Sequence, residues 1–274
     1  MTICVGTICE NGGAAVVAAD KMVTFGPPMS LQTEPPTLKK ITKITDESVF
    51  LFSGSVPDGE EILSAVFSRI GKGQRQPIVE IAEAVKIAYI GLKRKRVEET
   101  ILKPFLGADF AQFQTLAAQS AASQILQQVI GMIVQHNLQS EALIAGIDDS
   151  GSHLFIVGHP GILIPLDTSG YAAIGSGALH AAVRLSLAQH TKVASLVDTV
   201  YNVYEAKKAA EVSPGVGNKF TDLAVIKAGK VIFAKQAIFD ALEKAHKEKP
   251  SLTVEEQQEL KKVCDEWIES ESKP

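Results

Sequence analysis

The chain has 274 residues, with 27 Lys+Arg against 31 Asp+Glu, 46% hydrophobic residues, 6% aromatics and a net charge of −4. That length allows one large domain or two small ones with a sizeable core, and the missing basic excess argues against nucleic-acid or membrane-surface partners. No run reaches the roughly 18–20 apolar residues of a membrane helix, because the best, Ile125 to Val134, is broken by Gln127 and Gln128. The first residues lack a basic segment followed by an apolar stretch and a cleavage site, so no secretory leader is expected. Cys4, Cys9 and Cys264 are few and odd in number, which fits buried thiols in a reducing compartment and a cytoplasmic location.

In chain order, Thr2 to Cys9 and Ala14 to Asp20 are apolar runs around Glu10-Asn11-Gly12-Gly13, a hairpin signal because Asn-Gly tolerates positive φ. Lys40 to Thr45 and Val49 to Ser53 predict a second hairpin. Ser55-Val-Pro-Asp58 has capping-box spacing, and Ile62, Ala65, Val66 and Ile70 follow at helical intervals. Ile78, Ile81, Ala82, Val85, Ala88, Tyr89 and Leu92 form the apolar face of the next helix. A helical pattern covers Ala111 to Gln135, and the Lys93 to Gln128 stretch reads as an addition with breaks at Lys103-Pro104 and Leu106-Gly107. Lys93-Arg94-Lys95-Arg96, followed by Glu98 and Glu99, reads as a solvated helix face.

A third hairpin is predicted over Ala142 to Ile147 and His153 to Val157. Helices follow over Ala178 to Gln189 and Val193 to Glu211, and a fourth hairpin over Leu223 to Ile226 and Val231 to Ala234. This order predicts two antiparallel sheets with helix pairs outside, an α+β arrangement. After a body of about residues 1–240, the extension 241–274 carries a capping box at Thr253-Val-Glu-Glu256. Leu260, Val263, Cys264, Trp267 and Ile268 follow on one face, fit to dock on the body or on a neighbouring subunit.

The search for chemistry is mostly negative. There is no Gly-rich phosphate loop with a following Lys, no His-Glu-x-x-His, no Cys-x-x-Cys and no Gly-x-Ser-x-Gly, so no cofactor and no metal is expected. His153 and His159 flank a strand and a turn and read as structural or exposed. The extreme N-terminus remains. Thr2 is small enough for Met1 to be trimmed before it, which leaves a hydroxyl and an α-amine on adjacent carbons. A free α-amine has a pKa of about 8 and can accept the hydroxyl proton directly or through water.

Around Thr2 the sequence resembles the proteasome β-subunit branch of the N-terminal nucleophile hydrolases. The resemblance is carried by Thr2-Ile3-Cys4-Val5-Gly6 with Val16-Val17-Ala18-Ala19-Asp20-Lys21, by Lys39-Lys40-Ile41, and by Ser53-Gly54-Ser55-Val56. Ile174-Gly175-Ser176-Gly177 and Thr221-Asp222-Leu223-Ala224-Val225-Ile226 complete it, in order, from Thr2 to about Ala234. It implies a four-layer αββα sandwich and a threonine peptidase that cleaves peptide bonds through an acyl-enzyme. Thr2 would attack the carbonyl, Lys40 would lower the hydroxyl's effective pKa or relay a proton, and Asp20 would fix Lys40. The N–H of Gly54 would form the oxyanion hole and Ser176 would orient the α-amine of Thr2. The implied partners are a peptide or protein substrate, further copies in a ring, and an unfoldase or regulator of unspecified kind.

Two segments depart from the family. Glu211 to Lys219 is longer than the stretch where the family places an Asp and a Ser, with Glu211 or Ser213 as candidate substitutes. Phe25 to Pro36 is long and Pro-rich. Phe52 falls where the family lines its specificity pocket, and a bulky ring predicts a shallow pocket that prefers small residues. Two other readings stay open: a transpeptidase or ligase in which an amine resolves the acyl-enzyme, and a non-catalytic scaffold.

Overall fold

The computed structural model describes residues 2–24, 31–119, 123–248 and 254–270. Met1, residues 25–30 of the Pro-rich segment, residues 120–122 of the Ala-rich pattern and Thr253 of the last capping box lie outside the described residues. The fold is mixed α+β, with two five-stranded antiparallel sheets.

The first sheet is built from β1 (Cys4–Cys9), β2 (Ala14–Asp20), β10 (Tyr171–Ile174), β11 (Thr221–Lys227) and β12 (Lys230–Phe233), in the order β10-β1-β2-β11-β12. β1 and β2 are buried along their whole length, which explains why they read as unbroken apolar runs rather than as alternation. Their connection places Asn11 at φ 55, as the Asn-Gly signal requires. The second sheet runs β5-β6-β7-β8-β9 through β5 (Ile41–Thr45), β6 (Ser48–Ser53), β7 (Glu141–Asp148), β8 (Gly151–Gly158) and β9 (Ile162–Pro165). A separate two-stranded ribbon pairs β3 (Val23–Thr24) with β4 (Gln32–Thr33).

The two sheets share one core. Cys4, Ile8, Ala15, Val17 and Ala19 of the first face Ile41, Val49, Leu51, Leu143, Ala145 and Leu154 of the second. Small residues permit the close approach: a Cβ on Gly6 would lie 3.1 Å from Leu154 Cδ2 and 3.2 Å from Leu143 Cδ2. The opposite face of the second sheet packs on α1 (Val56–Ile70) and α2 (Ile78–Val97) through Phe50, Ile62, Val66, Ile81, Val85 and Tyr89. The opposite face of the first packs on α6 (Ala178–Leu187) and α7 (Leu196–Ala210) through Val5, Val16, Leu185, Val200 and Val203.

α1 starts where the sequence predicts, with Ser55 as N-cap, but the capping box does not form, since Ser55 makes no side-chain cap bond. Asp58, its expected partner, is engaged instead by Arg96 at 2.6 Å. The basic tetrad is therefore partly intramolecular, and Lys95 also reaches Glu61 at 2.6 Å. Pro104 does not break the chain either. α2 continues through a π-helical turn, Glu98–Leu102, into α3 (Lys103–Leu106), and a widened turn accommodates a residue that has no N–H to bond backwards. Gly107, at φ 62, ends that helix. The next pattern gives two helices, α4 (Phe110–Gln119) and α5 (Gln124–Gln135), rather than one.

α8 (Gln236–Glu248) crosses residue 240, and α9 (Val254–Ser270) follows. Leu260, Cys264 and Trp267 join the core formed with α7, and Val263 and Ile268 pack against it. The tail's apolar stripe is satisfied within the same chain. No described helix is long and apolar enough to cross a membrane.

Candidate active site

Thr2 lies just ahead of β1 and is buried, with 3% of its surface exposed. Its hydroxyl donates to Oδ1 of Asp20, the last residue of β2, and accepts a hydrogen bond from Nζ of Lys40. Lys40 closes the triangle with Nζ 2.9 Å from Asp20 Oδ1. Asp20 is fully buried, so its charge needs compensation. Lys40 supplies a cation, and backbone N–H groups supply the rest: Ile3 to Oδ1 at 3.0 Å, Met22 to Oδ2 at 3.2 Å and Gly217 to Oδ2 at 2.8 Å. A carboxylate held this way is a fixed acceptor for the hydroxyl of Thr2 and the ammonium of Lys40.

The second sheet delivers Lys40 to the first. Lys40 immediately precedes β5, and its N–H donates to Asp222 Oδ2 at 3.3 Å. The other oxygen of Asp222 pairs with Lys21 at 3.0 Å. Asp222, on β11, thus ties the start of β5 to the end of β2. Its motif was visible in the sequence, but its supporting contact was not. α7 adds a further buried charge. Lys207 is 1% exposed and pairs with Glu211 at 2.6 Å; burial pushes its amine below the ordinary lysine range, opposed by the charges of Glu211 and Asp20. Glu211 is thereby committed to Lys207 and Lys208 rather than to Thr2. Ser213, also buried, takes part in the turn that follows, where its N–H donates to Ala210 O at 3.0 Å.

Gly54 follows β6 at φ 127, a conformation that L side chains rarely adopt. A Cβ there would lie 2.2 Å from Ser140 Oγ, so the backbone presses against Ser140 on one side and faces the Thr2 cleft on the other. Gly175, at φ 94, would place a Cβ 2.3 Å from the carbonyl oxygen of Thr2. Glu141, at the start of β7, accepts the N–H of Gly175 at 3.0 Å and holds that turn. The hydroxyl of the following Ser176 lies 3.4 Å from the Thr2 carbonyl oxygen and 3.5 Å from Pro214 O, within reach of either acceptor. The N–H of Gly177 reaches the same Thr2 carbonyl at 3.4 Å. Both contacts follow from the tight turn at Gly175, which aims the donors of 176 and 177 at the carbonyl.

The cleft beside Thr2 has a volume of about 650 Å3. Lys40 and Gly54 line it near Thr2, while Met22, Phe50, Phe52 and Leu63 make much of its wall apolar. Phe52 does not close it. Its ring rests on Gly59 of α1, where an added Cβ would fall 2.7 Å from Cδ1, so the bulk expected to make the pocket shallow is set back into the helix. Cys4, beneath the site, is buried; burial pushes its thiol up to about 12, and its Sγ lies 3.6 Å from the Phe52 carbonyl. Among the described residues no group of three or more His, Cys, Asp or Glu is placed to hold a metal.

Of the five expected site residues, Thr2, Asp20 and Lys40 form one hydrogen-bonded cluster, Gly54 shares the cleft, and Ser176 touches Thr2 through its carbonyl. Compared with known proteins, the chain matches no family model and no curated protein.

Proposed function

We propose that this chain is a threonine-type peptidase or amidohydrolase of the N-terminal nucleophile class, with a proteasome-like four-layer αββα sandwich. The observation that carries the reading is the Thr2–Asp20–Lys40 triangle at one end of a largely apolar cleft. A buried Asp and Lys bonded to the same threonine hydroxyl, two residues into the chain, is an arrangement for activating that hydroxyl.

In the proposed reaction, loss of Met1 frees the α-amine of Thr2. The amine takes the hydroxyl proton while Oγ1 attacks the substrate carbonyl carbon. The Lys40 ammonium stabilises the developing alkoxide, and Asp20, its ion-pair partner, holds it in place. The N–H of Gly54 stabilises the tetrahedral oxyanion. Collapse breaks the C–N bond, and the proton held by the α-amine passes to the leaving amine, which leaves an ester on Thr2. Water, deprotonated by the same amine, then cleaves the ester and restores the hydroxyl. The ring-shaped homo-oligomer and cytoplasmic setting belong to this proposal. Self-association is supported by α6, which exposes Leu179 (72%), Val183 (48%) and Leu187 (76%) at helical spacing on the outside of the fold.

The test is hydrolysis of a fluorogenic peptide set by wild type, Thr2→Ser and Thr2→Ala, with the mature N-terminus checked by mass. The proposal expects turnover by wild type, reduced turnover by Thr2→Ser and none by Thr2→Ala. Turnover that survives Thr2→Ala contradicts it.

A further inference from the structure

The two segments in which the chain departs from the proteasome-like pattern meet beside the proposed site. Glu34, directly after β4, points its carboxylate at the loop ahead of β11. Its Oε1 accepts the N–H of Asn218 at 3.1 Å, and its Oε2 accepts those of Lys219 at 3.0 Å and Phe220 at 3.2 Å. The preceding residue, Gly217, gives its N–H to Asp20 Oδ2 at 2.8 Å. Four consecutive backbone donors are thus divided between two carboxylates, three to Glu34 and one to Asp20. Such a run of aligned N–H groups forms an anion-holding concavity. Gly217 sits between the two acids: an added Cβ would fall 2.6 Å from Glu34 Oε2 and 3.2 Å from Asp20 Oδ2. One residue after Phe220, Thr221 pairs with Asp20 as β11 begins.

We propose that Glu34 is a positioning residue for the reaction at Thr2, acting on Asp20 through the backbone of residues 217–220. This rests on the reading of Thr2 as nucleophile. The 211–219 loop reaches Asp20 through a glycine N–H, and a glycine in an irregular loop holds its direction only if its neighbours are anchored. Glu34 anchors the next three residues. The Gly217 N–H in turn occupies Oδ2 of Asp20 and leaves Oδ1 to Thr2 and Lys40. Glu34 does not line the cleft, so its removal acts on the rate of the chemical step and not on substrate affinity.

The experiment compares wild type, Glu34→Ala and Glu34→Gln in the kcat and KM of peptide hydrolysis and in amide hydrogen exchange. Glu34→Gln keeps an acceptor oxygen and serves if the alanine variant folds poorly. The inference expects kcat of Glu34→Ala to fall about tenfold, the loss of roughly one charge-assisted hydrogen bond. KM stays within about twofold, because uniform binding is untouched. Exchange accelerates at 217–220, and Glu34→Gln recovers part of the rate. An active wild type with an unchanged kcat and unchanged exchange at 217–220 in Glu34→Ala overturns this inference alone. A wild type that turns over no peptide and forms no Thr2 adduct overturns the reading of Thr2, and the role of Glu34 with it.

Discussion

The N–H of Gly217 donates to Oδ2 of Asp20 at 2.8 Å across 197 residues of sequence, which leaves Oδ1 for Lys40 and Thr2. Asp20 is therefore the point where the first hairpin, the loop before β11 and the start of β5 converge. Its two oxygens differ in their partners: Oδ2 takes only backbone donors, Gly217 and Met22, while Oδ1 takes the hydroxyl and the ammonium together with the N–H of Ile3.

That division predicts an asymmetry between variants. Lys40→Met removes a cation from a group 9% exposed and leaves Asp20 buried with neutral donors only, backbone N–H groups and the Thr2 hydroxyl. Asp20→Asn leaves the ammonium of Lys40 without its counter-ion. Each is expected to reduce peptide turnover by roughly 100-fold or more, the scale of a positioned acid–base group. Each also destabilises, by about 3–5 kcal/mol if the remaining charge stays buried. The larger stability loss is expected for Asp20→Asn, since Asp20 also anchors Ile3, Met22 and Gly217. Urea titrations beside rate measurements check both, and equal stability for the two variants would contradict the assignment of Asp20 as scaffold.

Gly54→Ala forces a side chain into φ 127 with its Cβ 2.2 Å from Ser140 Oγ and 2.9 Å from Ser140 Cα. The expected cost is at least about 3 kcal/mol. Ser140→Gly does not restore it, because the Cα clash persists. Thermal melting of the single and double variants decides this.

The cleft predicts preference for a large apolar residue on the acyl side of the cleaved bond. Burying such a side chain against Phe50, Phe52 and Leu63 contributes about 1.5–3 kcal/mol, or roughly 10–100-fold in kcat/KM over alanine. Gly59→Ala should reverse much of that preference, since the new methyl displaces the Phe52 ring toward the cleft. A wild-type preference for alanine would instead support the shallow pocket expected from Phe52 alone.

The hairpins β1–β2, β5–β6, β7–β8 and β11–β12 were legible because both sheet faces are covered and their strands read as apolar runs bounded by turns. The Thr2, Asp20 and Lys40 cluster was legible only through family likeness, since nothing in local pattern brings residues 2, 20 and 40 together. Glu34, Glu141 and Asp222 support the site through tertiary contacts with backbone N–H groups. Such contacts leave no periodic trace in a sequence. The β3–β4 ribbon was hidden for a different reason: each strand has two residues, too few to show alternation.

The tail gives a stability prediction. Trp267 is 5% exposed in the α7 core, yet its indole N–H has no partner among the described residues. Trp267→Ala should cost about 3–5 kcal/mol through cavity formation. Trp267→Phe should cost much less, because it also removes a buried unsatisfied donor. Urea midpoints of the two variants test this, and near-equal losses would show that the N–H is bonded.

The central claim is that Thr2 is the nucleophile, and covalent labelling reaches it most directly. Burial pushes the thiols of Cys4, Cys9 and Cys264 up to about 12, so none competes for an electrophile near neutral pH. Intact mass after incubation with a β-lactone, followed by peptide mapping, should show loss of Met1 and a single adduct on Thr2. The adduct should be absent in Thr2→Ala and slowed in Lys40→Met. A retained Met1, or an adduct that forms equally in Thr2→Ala, would contradict the account.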